Sequence, residues 1–344
     1  MKKYFVKTYG CAMNVVDSEK IAGWYEQKKW QLAQKIEEAD EVIIVTCSVR
    51  QTAEDRVYGL INNLSKLKKN NNKLKIILTG CMIRYPLKWL RDKMPAVDEF
   101  KKISEYKINS QFFNSLICNS QKHAFVKIME GCNNFCSYCV VPYARGREVS
   151  RPFDEIVCEV KASAQKGYKE ITLLGQNVNS YENGFAQLLL AVNKISGIEK
   201  ISFLTSNPWD LTDEIIKAMK LPKIDRYLHL PVQSGDNGIL KKMNRCYTAE
   251  DFLKLVEKIR KEIADIQIGT DIIVGFPGET EEQFQNTVDL CKKIKFVKAY
   301  VSMYSARPQT AAYKLIDDIP HKEKRRRWKI LDDLINKQDF TFFS

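Results

Sequence analysis

The sequence predicts an α/β protein, an open parallel-sheet domain followed by a partial (βα)6 barrel. Three observations predict it. Apolar strand runs alternate with helix-period segments along the chain. The strand runs are continuously apolar rather than alternating, as strands buried on both faces of a parallel sheet must be. After a polar connector, six further strand–helix units follow one another without a hairpin signal.

Taken in order, Tyr4 to Thr8 reads as an opening strand and Asp17 to Lys28 as a helix capped by Asp17 and Ser18. Glu41-Val42-Ile43-Ile44-Val45-Thr46 is a buried strand, Thr52 to Lys68 a helix and Lys75-Ile76-Ile77-Leu78-Thr79 a third strand. The polar stretch from Ser104 to Lys122 separates this unit from the next. Strands are then expected at Ala124–Met129, Glu170–Leu174, Lys200–Leu204, Tyr227–Leu230, Ile266–Val274 and Ala299–Tyr304. Helices are expected between them, at Phe153–Lys166, Asp213–Lys220, Ala249–Glu262 and Glu281–Lys293. A charged helix from Lys322 to Lys337 closes the chain. The expected divisions are therefore 1–105, a linker at 106–122, a barrel at 123–320 and a charged C-terminal helix within 321–344.

At 344 residues, with 44% hydrophobic and 28% charged side chains, this is an ordinary globular composition. No apolar run is long enough to span a bilayer. The N-terminus lacks the apolar region and small-residue cleavage site of a secretory signal, so a cytoplasmic location is expected. The net charge of +13 suits a polyanionic partner and equally suits a lysine-rich coding bias. Ten cysteines in a reducing compartment point to metal binding or catalysis rather than disulfides.

Cys132, Cys136 and Cys139 form C-x3-C-x2-C just after a predicted strand. Three thiolates from one loop can hold three corners of a [4Fe–4S] cluster and leave the fourth iron open to a ligand. A zinc site would want a second downstream pair of ligands, and none follows. Cys11, Cys47 and Cys81 are far apart in sequence, yet each directly follows a predicted parallel strand. Loops after parallel strands emerge along one edge, where open α/β sheets bind ligands, so these thiols are expected to converge. Cys158, Cys291, Cys118 and Cys246 lack this logic and read as structural.

The first of these patterns resembles the radical S-adenosylmethionine superfamily. Tyr138, before the last cysteine, matches its usual aromatic. Ile273-Val274-Gly275-Phe276-Pro277-Gly278-Glu279 matches its segment beside the adenosyl group. The resemblance implies S-adenosylmethionine at the open iron, with Tyr138, Gly275, Gly278 and Glu279 near it, and one-electron cleavage to a 5′-deoxyadenosyl radical.

Both cysteine sets together resemble the methylthiotransferases, over nearly the whole chain. The motifs are Thr8-Tyr9-Gly10-Cys11-Ala12-Met13-Asn14, Asp17-Ser18-Glu19, Thr46-Cys47-Ser48-Val49-Arg50 and Met129-Glu130-Gly131-Cys132. They continue with Pro142-Tyr143-Ala144-Arg145-Gly146-Arg147-Glu148-Val149-Ser150-Arg151-Pro152, Leu174-Gly175-Gln176-Asn177-Val178-Asn179-Ser180-Tyr181 and His229-Leu230-Pro231-Val232-Gln233-Ser234-Gly235. The Arg145–Pro152 and Gly175–Tyr181 runs look like the bacterial branch that methylthiolates N6-isopentenyladenosine at position 37 of tRNA. Other branches act on threonylcarbamoyladenosine or on a ribosomal protein side chain.

That resemblance implies two [4Fe–4S] clusters, S-adenosylmethionine, an anticodon-loop substrate, an electron donor such as flavodoxin or ferredoxin, and a monomer. Carbon 2 of adenine bears a hydrogen that acid–base catalysis cannot remove, so a radical route is required. Arg145, Arg147 and Arg151 directly follow the C-x3-C-x2-C loop and are candidates to meet phosphate or the base, the alternative being pairing with acidic neighbours such as Glu148. The chain departs from the family at Val45, where Asn is usual, and at Gln309, where Gly is common. It also ends at Ser344, where the family continues into a small RNA-gripping β-barrel. Either the sequence is truncated there or RNA binding relies on the remaining basic surface, of which the run Lys322, Lys324, Arg325, Arg326, Arg327 and Lys329 is the densest part, unless it is simply a solvated helix face. A non-catalytic iron–sulfur relay is disfavoured, because a relay needs no adenosyl segment.

Overall fold

Residues 1–107 and 122–337 are described by a computed structural model. The N-terminal unit is a five-stranded parallel sheet built from β1 (Lys3–Thr8), β2 (Gln31–Leu32), β3 (Glu41–Thr46), β4 (Lys75–Gly80) and β5 (Glu99–Phe100), in spatial order β2-β1-β3-β4-β5. Val42, Ile43, Ile44 and Val45 of the central strand are all fully buried, which is why that run carries no polar alternation. Helices α1 (Ala12–Gln27), α2 (Gln51–Asn70) and α3 (Leu87–Lys93) cover the faces. On α2, Val57, Ile61 and Leu64 recur at helical spacing and pack on Ile44 and Ile76, while Ile21, Ala22 and Tyr25 of α1 pack on the other face with Tyr4 and Ile43.

Two local expectations change. Helix α1 begins at Ala12, with Cys11 rather than Asp17 or Ser18 at its N-terminal boundary. Asp17 and Ser18 are good caps by propensity, but both lie inside the helix, and Asp17 is fully buried where cations of the second unit hold it. Tyr106, at the start of the expected linker, is fully buried and lies edge-on to Trp24 at 5.3 Å. Cys118 and most of the expected linker lie outside the described residues.

The second unit is an arc of six parallel strands in sequence order. β6 (His123–Lys127) pairs with β9 (Glu170–Leu174), and β9 with β10 (Lys200–Phe203). β11 (Tyr227–His229), β12 (Gln267–Val274) and β13 (Lys298–Met303) form the other half. A parallel bridge between Ile201 and Ile224 joins the two halves. Between β6 and β9 lie the two-residue strands β7 (Met129–Glu130) and β8 (Val149–Ser150), which pair antiparallel, and the helices α4 (Val141–Arg145) and α5 (Phe153–Gln165). Five more helices follow: α6 (Phe185–Asn193), α7 (Asp213–Ala218), α8 (Asn237–Lys242), α9 (Ala249–Glu262) and α10 (Glu281–Ile294). Helix α11 (His321–Asn336) lies against β13. Among the described residues no helix is long and apolar enough to cross a membrane.

The two units face each other. Ala12, Met13 and Val16 of α1 pack on Phe125, Leu174 and Leu204, at and beyond the barrel strands β6, β9 and β10. Beside this apolar contact, Asp17 pairs with Lys127 and Arg145, each at 2.8 Å. On another side, Arg307 reaches from beyond β13 to Glu54 at 2.6 Å and to the Ser48 carbonyl at 2.8 Å. Arg84 answers by donating to the Pro308 carbonyl at 2.8 Å.

Candidate functional site

The N-terminal thiols sit where the sheet ends. Cys11 begins α1, Cys47 follows β3 and Cys81 follows β4. Cys47 and Cys81 are buried and Cys11 is exposed. Gly10 permits the approach of the first two loops: its φ is +117°, and a Cβ there would lie 2.6 Å from the Cys47 Cβ. Cys81 is within electrostatic reach of Cys11, Cys47 and Arg145. Burial pushes its thiol up to about 11, against the pull of Arg145. The Cys47 thiol is likewise raised by burial, while backbone N–H groups of Val49 and Arg50 turn toward it.

The barrel thiols lie on the loop after β7. Burial raises Cys139 to about 12, with Cys136 adding to the rise, and burial also raises Cys132. Each sulfur of this set has a donor: Asn134 amides at Cys132, the Arg245 guanidinium at Cys136 (3.4 Å) and the Val141 N–H at Cys139 (3.4 Å). Such donors suit thiolates bound to metal, and the raised thiols mean that metal binding at neutral pH releases protons.

Among the described residues no three Cys, His, Asp or Glu side chains gather tightly enough for a single ion. A cubane asks for less, because its three ligated irons occupy different corners and spread the thiolates apart. Both sets fit that demand in residue type and placement, and the described cysteines are all free thiols.

Beside the barrel set, polar groups converge from the ends of β9, β10 and β11. Arg245 is 8% exposed and bonds to the Pro231 carbonyl (3.1 Å) and Asn207 Oδ1 (3.5 Å), with its guanidinium 4.5 Å from the Trp209 ring. Asn177 joins Asp210 at 2.6 Å, and Asn179 donates to the Asn207 carbonyl at 3.2 Å. Gln176 Oε1, Asn179 Oδ1 and Ser206 Oγ are buried without a partner. Orphaned polar atoms at the carboxyl ends of barrel strands, next to the vacant corner a three-thiol set would leave, fit the polar end of S-adenosylmethionine. Arg245, Ser206 and Asn207 were invisible in the sequence, since Arg245 meets Cys136 across 109 positions.

The remaining candidates divide. Tyr138 packs with Ile239, Met243, Phe276 and Tyr304 beneath the ligand loop. Gly275 and Gly278 both take positive φ, and a Cβ on Gly275 would strike Lys324 at 2.4 Å. Glu279 is 2% exposed, with its carboxylate engaged by the Gly275 N–H (2.7 Å) and Arg327 (2.8 Å), so it locks the turn from within. Burial raises its pKa against those two donors. Arg145 is committed to Asp17, Glu130 (2.8 Å) and Asn14 (2.6 Å) beside Cys81. Arg151 pairs with Glu159 at 2.7 Å and donates to the Lys127 carbonyl at 2.6 Å. Arg147 is exposed. Glu148, the alternative partner considered for these arginines, instead accepts from Ser180 at 2.6 Å. Tyr181 completes that contact by donating to the Arg151 carbonyl at 2.8 Å, so the two discriminating sequence runs touch.

Between the units lies a cleft of about 770 Å³, with Cys81, Arg84, Lys127, Tyr143, Arg145 and Arg147 on its walls.

Known proteins match this arrangement. Residues 126–291 match the radical SAM superfamily and residues 3–101 the uncharacterized protein family UPF0004. A tRNA-2-methylthio-N(6)-dimethylallyladenosine synthase from Thermoanaerobacter sp. (strain X514) is 45% identical, across 97% of this chain and 78% of that protein. One from Clostridium novyi (strain NT) is also 45% identical, across 98% of this chain and 81% of that protein. Among solved structures, the radical S-adenosylmethionine methyltransferase TsrM from Kitasatospora setae shares the fold, with a TM-score of 0.64 at 13% identity over 91% of this chain and 75% of its own. The cobalamin-dependent radical enzyme OxsB shares it with a TM-score of 0.60 at 11% identity, over 97% of this chain and 56% of its own.

Proposed function

This chain belongs to the family of tRNA-2-methylthio-N6-dimethylallyladenosine synthases, and from that premise we propose that its two cysteine sets hold [4Fe–4S] clusters on opposite walls of one interdomain site. The enzyme adds a methylthio group at carbon 2 of N6-dimethylallyladenosine in tRNA, using S-adenosylmethionine and iron–sulfur clusters. The observation that carries the assignment of residues is geometric: the sheet edge bearing Cys11, Cys47 and Cys81 is docked by α1 against the barrel end bearing Cys132, Cys136 and Cys139.

When bound, the barrel cluster with S-adenosylmethionine supplies the radical, and the sheet-edge cluster supplies the sulfur. The chain's own residues orient and enclose. Gln176, Asn179 and Ser206 would offer their unpartnered polar atoms to the ammonium and carboxylate of S-adenosylmethionine, and Arg245 holds Cys136 in place. The Gly275–Glu279 turn packs its backbone against the Lys324 side chain, where a Cβ on Gly275 would not fit, and so fixes the end of β12. Arg145 is a fixed cation beside Cys81, neutralised on its far side by Asp17 and Glu130. The anticodon loop is the substrate segment, since its bases can be unstacked and splayed into a cleft. A one-electron donor such as flavodoxin or ferredoxin, a monomeric state and a cytoplasmic setting complete the proposal.

Anaerobic reconstitution should give about eight irons per chain, and the Cys132, Cys136, Cys139 triple alanine variant about four. Iron at zero in that variant would remove the N-terminal set as a cluster site. Cys47→Ala should still form 5′-deoxyadenosine while mass spectrometry of tRNA nucleosides finds no methylthiolated product. Normal product from Cys47→Ala would sink the division of labour.

A further inference from the structure

Phe135 lies inside the C-x3-C-x2-C loop, and its backbone takes φ +47°, a left-handed conformation that is strained for a bulky residue. The surroundings hold it there. Asn244, itself at φ +57°, donates to the Asn134 and Phe135 carbonyls, each at 3.2 Å. The strained residue presents its ring rather than burying it deeply. The Arg147 guanidinium lies 4.4 Å over that ring, and Tyr143 stands perpendicular to it at 6.2 Å. Tyr143 is 43% exposed, and Arg147 is exposed. Both line the cleft that reaches Cys81.

This group cannot shift independently of the ligand loop. The Cys132 N–H donates to the Gly146 carbonyl at 3.2 Å, and the Glu148 N–H to Asn133 Oδ1 at 3.2 Å. Gly131 presses so closely on Arg147 that a Cβ would lie 2.1 Å from its carbonyl oxygen. An aromatic and guanidinium platform is thus fastened directly to the radical-cluster loop, at the edge of a cleft whose walls carry an excess of cations.

We propose that Phe135, Tyr143 and Arg147 form a stacking lip for the nucleobase adjoining the modified adenosine. The proposal rests on the tRNA reading above and adds the contact that orients the substrate. Drawing one base out of a single-stranded stack strips its neighbour of a stacking partner, and aromatic or guanidinium planes replace that partner. Base–aromatic stacking contributes enough to fix register and tolerates any base, because every base has a π-face.

The test measures binding of an anticodon stem-loop RNA carrying N6-dimethylallyladenosine to the reconstituted holoenzyme. Tyr143→Ala should raise Kd by about 5- to 100-fold, with iron content retained, and Tyr143→Phe should restore it. Phe135→Leu, which keeps an apolar side chain of moderate size, should weaken binding in the same direction. Stem-loops with an abasic nucleotide on the 5′ or the 3′ side of the modified adenosine identify the stacked base: on one of them Tyr143→Ala should no longer matter. Wild-type Kd in Tyr143→Ala, or an equal loss on both abasic RNAs, would overturn the lip. So would a loss of S-adenosylmethionine affinity in place of RNA affinity. A wild-type holoenzyme that binds no stem-loop would instead overturn the tRNA reading together with the lip.

Discussion

Gln309 shows how one residue can carry a conflict between local backbone preference and a distant contact. Its φ is +76°, a region that suits Gly, which is also the residue the family resemblance leads one to expect here. The side chain compensates across the domain boundary: it accepts from Arg84 at 3.1 Å and donates to the Arg84 carbonyl at 3.2 Å. Gln309→Gly removes the strain and the bonds together and should change stability by less than about 1 kcal/mol. Gln309→Ala keeps the strain and loses the bonds, and should cost about 1–2 kcal/mol. Equilibrium urea unfolding of the two variants checks the order; equal losses would show that the backbone at 309 is unstrained. At this scale the cysteines were the legible residues, because thiol spacing and position after strands are local facts. Asp17 was misread as a cap, since its buried pairing with Lys127 and Arg145 depends on residues more than a hundred positions away. Val45, the other family departure, fills a fully buried strand position where an apolar side chain packs without an unmet hydrogen bond.

At the scale of elements, continuous apolar runs and 3.6-residue periodicity located the main strands and long helices to within a few residues, apart from the start of α1. The shorter pieces were missed: α3, α4, α6, α8, β2, β5 and the β7–β8 pair are too brief to show a clear period, and tertiary contacts define them. Helix α11 shows what sequence leaves open. Its basic run reads as one surface, yet the fold divides it. Lys324 is buried on Asp317, Arg327 is buried on Glu279 and Glu323, and Arg326 pairs with Glu281 and Glu323. Lys322, Arg325 and Lys329 remain exposed at i, i+3 and i+7, along one face. If that face meets RNA phosphates, each of Lys322→Ala, Arg325→Ala and Lys329→Ala should reduce the log–log salt slope of tRNA binding by about 0.7–0.9. Substituting Arg326 should leave the slope unchanged, because its charge is already matched. Slopes unaltered in all three exposed variants would make the face merely solvated.

At the scale of the whole molecule, the problem is alignment: the two proposed cluster sites lie on separate folding units and must address one carbon atom. The units are held by an apolar contact through Met13 and Val16 and by two polar clamps, one centred on Asp17 and one on Glu54. The second clamp is the more buried, with Glu54 at 3% and Arg307 at 4% exposure, and Glu54 also accepts from Ser48 and from Tyr85 at 3.1 Å. Ser48 adjoins Cys47, so the clamp ties a proposed cluster ligand loop directly to the end of the barrel. Removing one partner of a buried ion pair strands the other, at a cost of about 3–5 kcal/mol. Glu54→Gln should therefore loosen docking, seen as faster trypsin cleavage, while each unit keeps its own cysteines and total iron stays near eight per chain. On the proposed division of labour, formation of 5′-deoxyadenosine needs only the barrel and should persist. Product depends on both units, and a misplacement of about 1 Å can lower a rate by around a hundredfold. The ratio of methylthiolated nucleoside to 5′-deoxyadenosine should consequently fall about tenfold or more. If docking loosens and that ratio holds, the alignment of the two sites does not depend on this clamp, and the Asp17 side of the interface must set it alone.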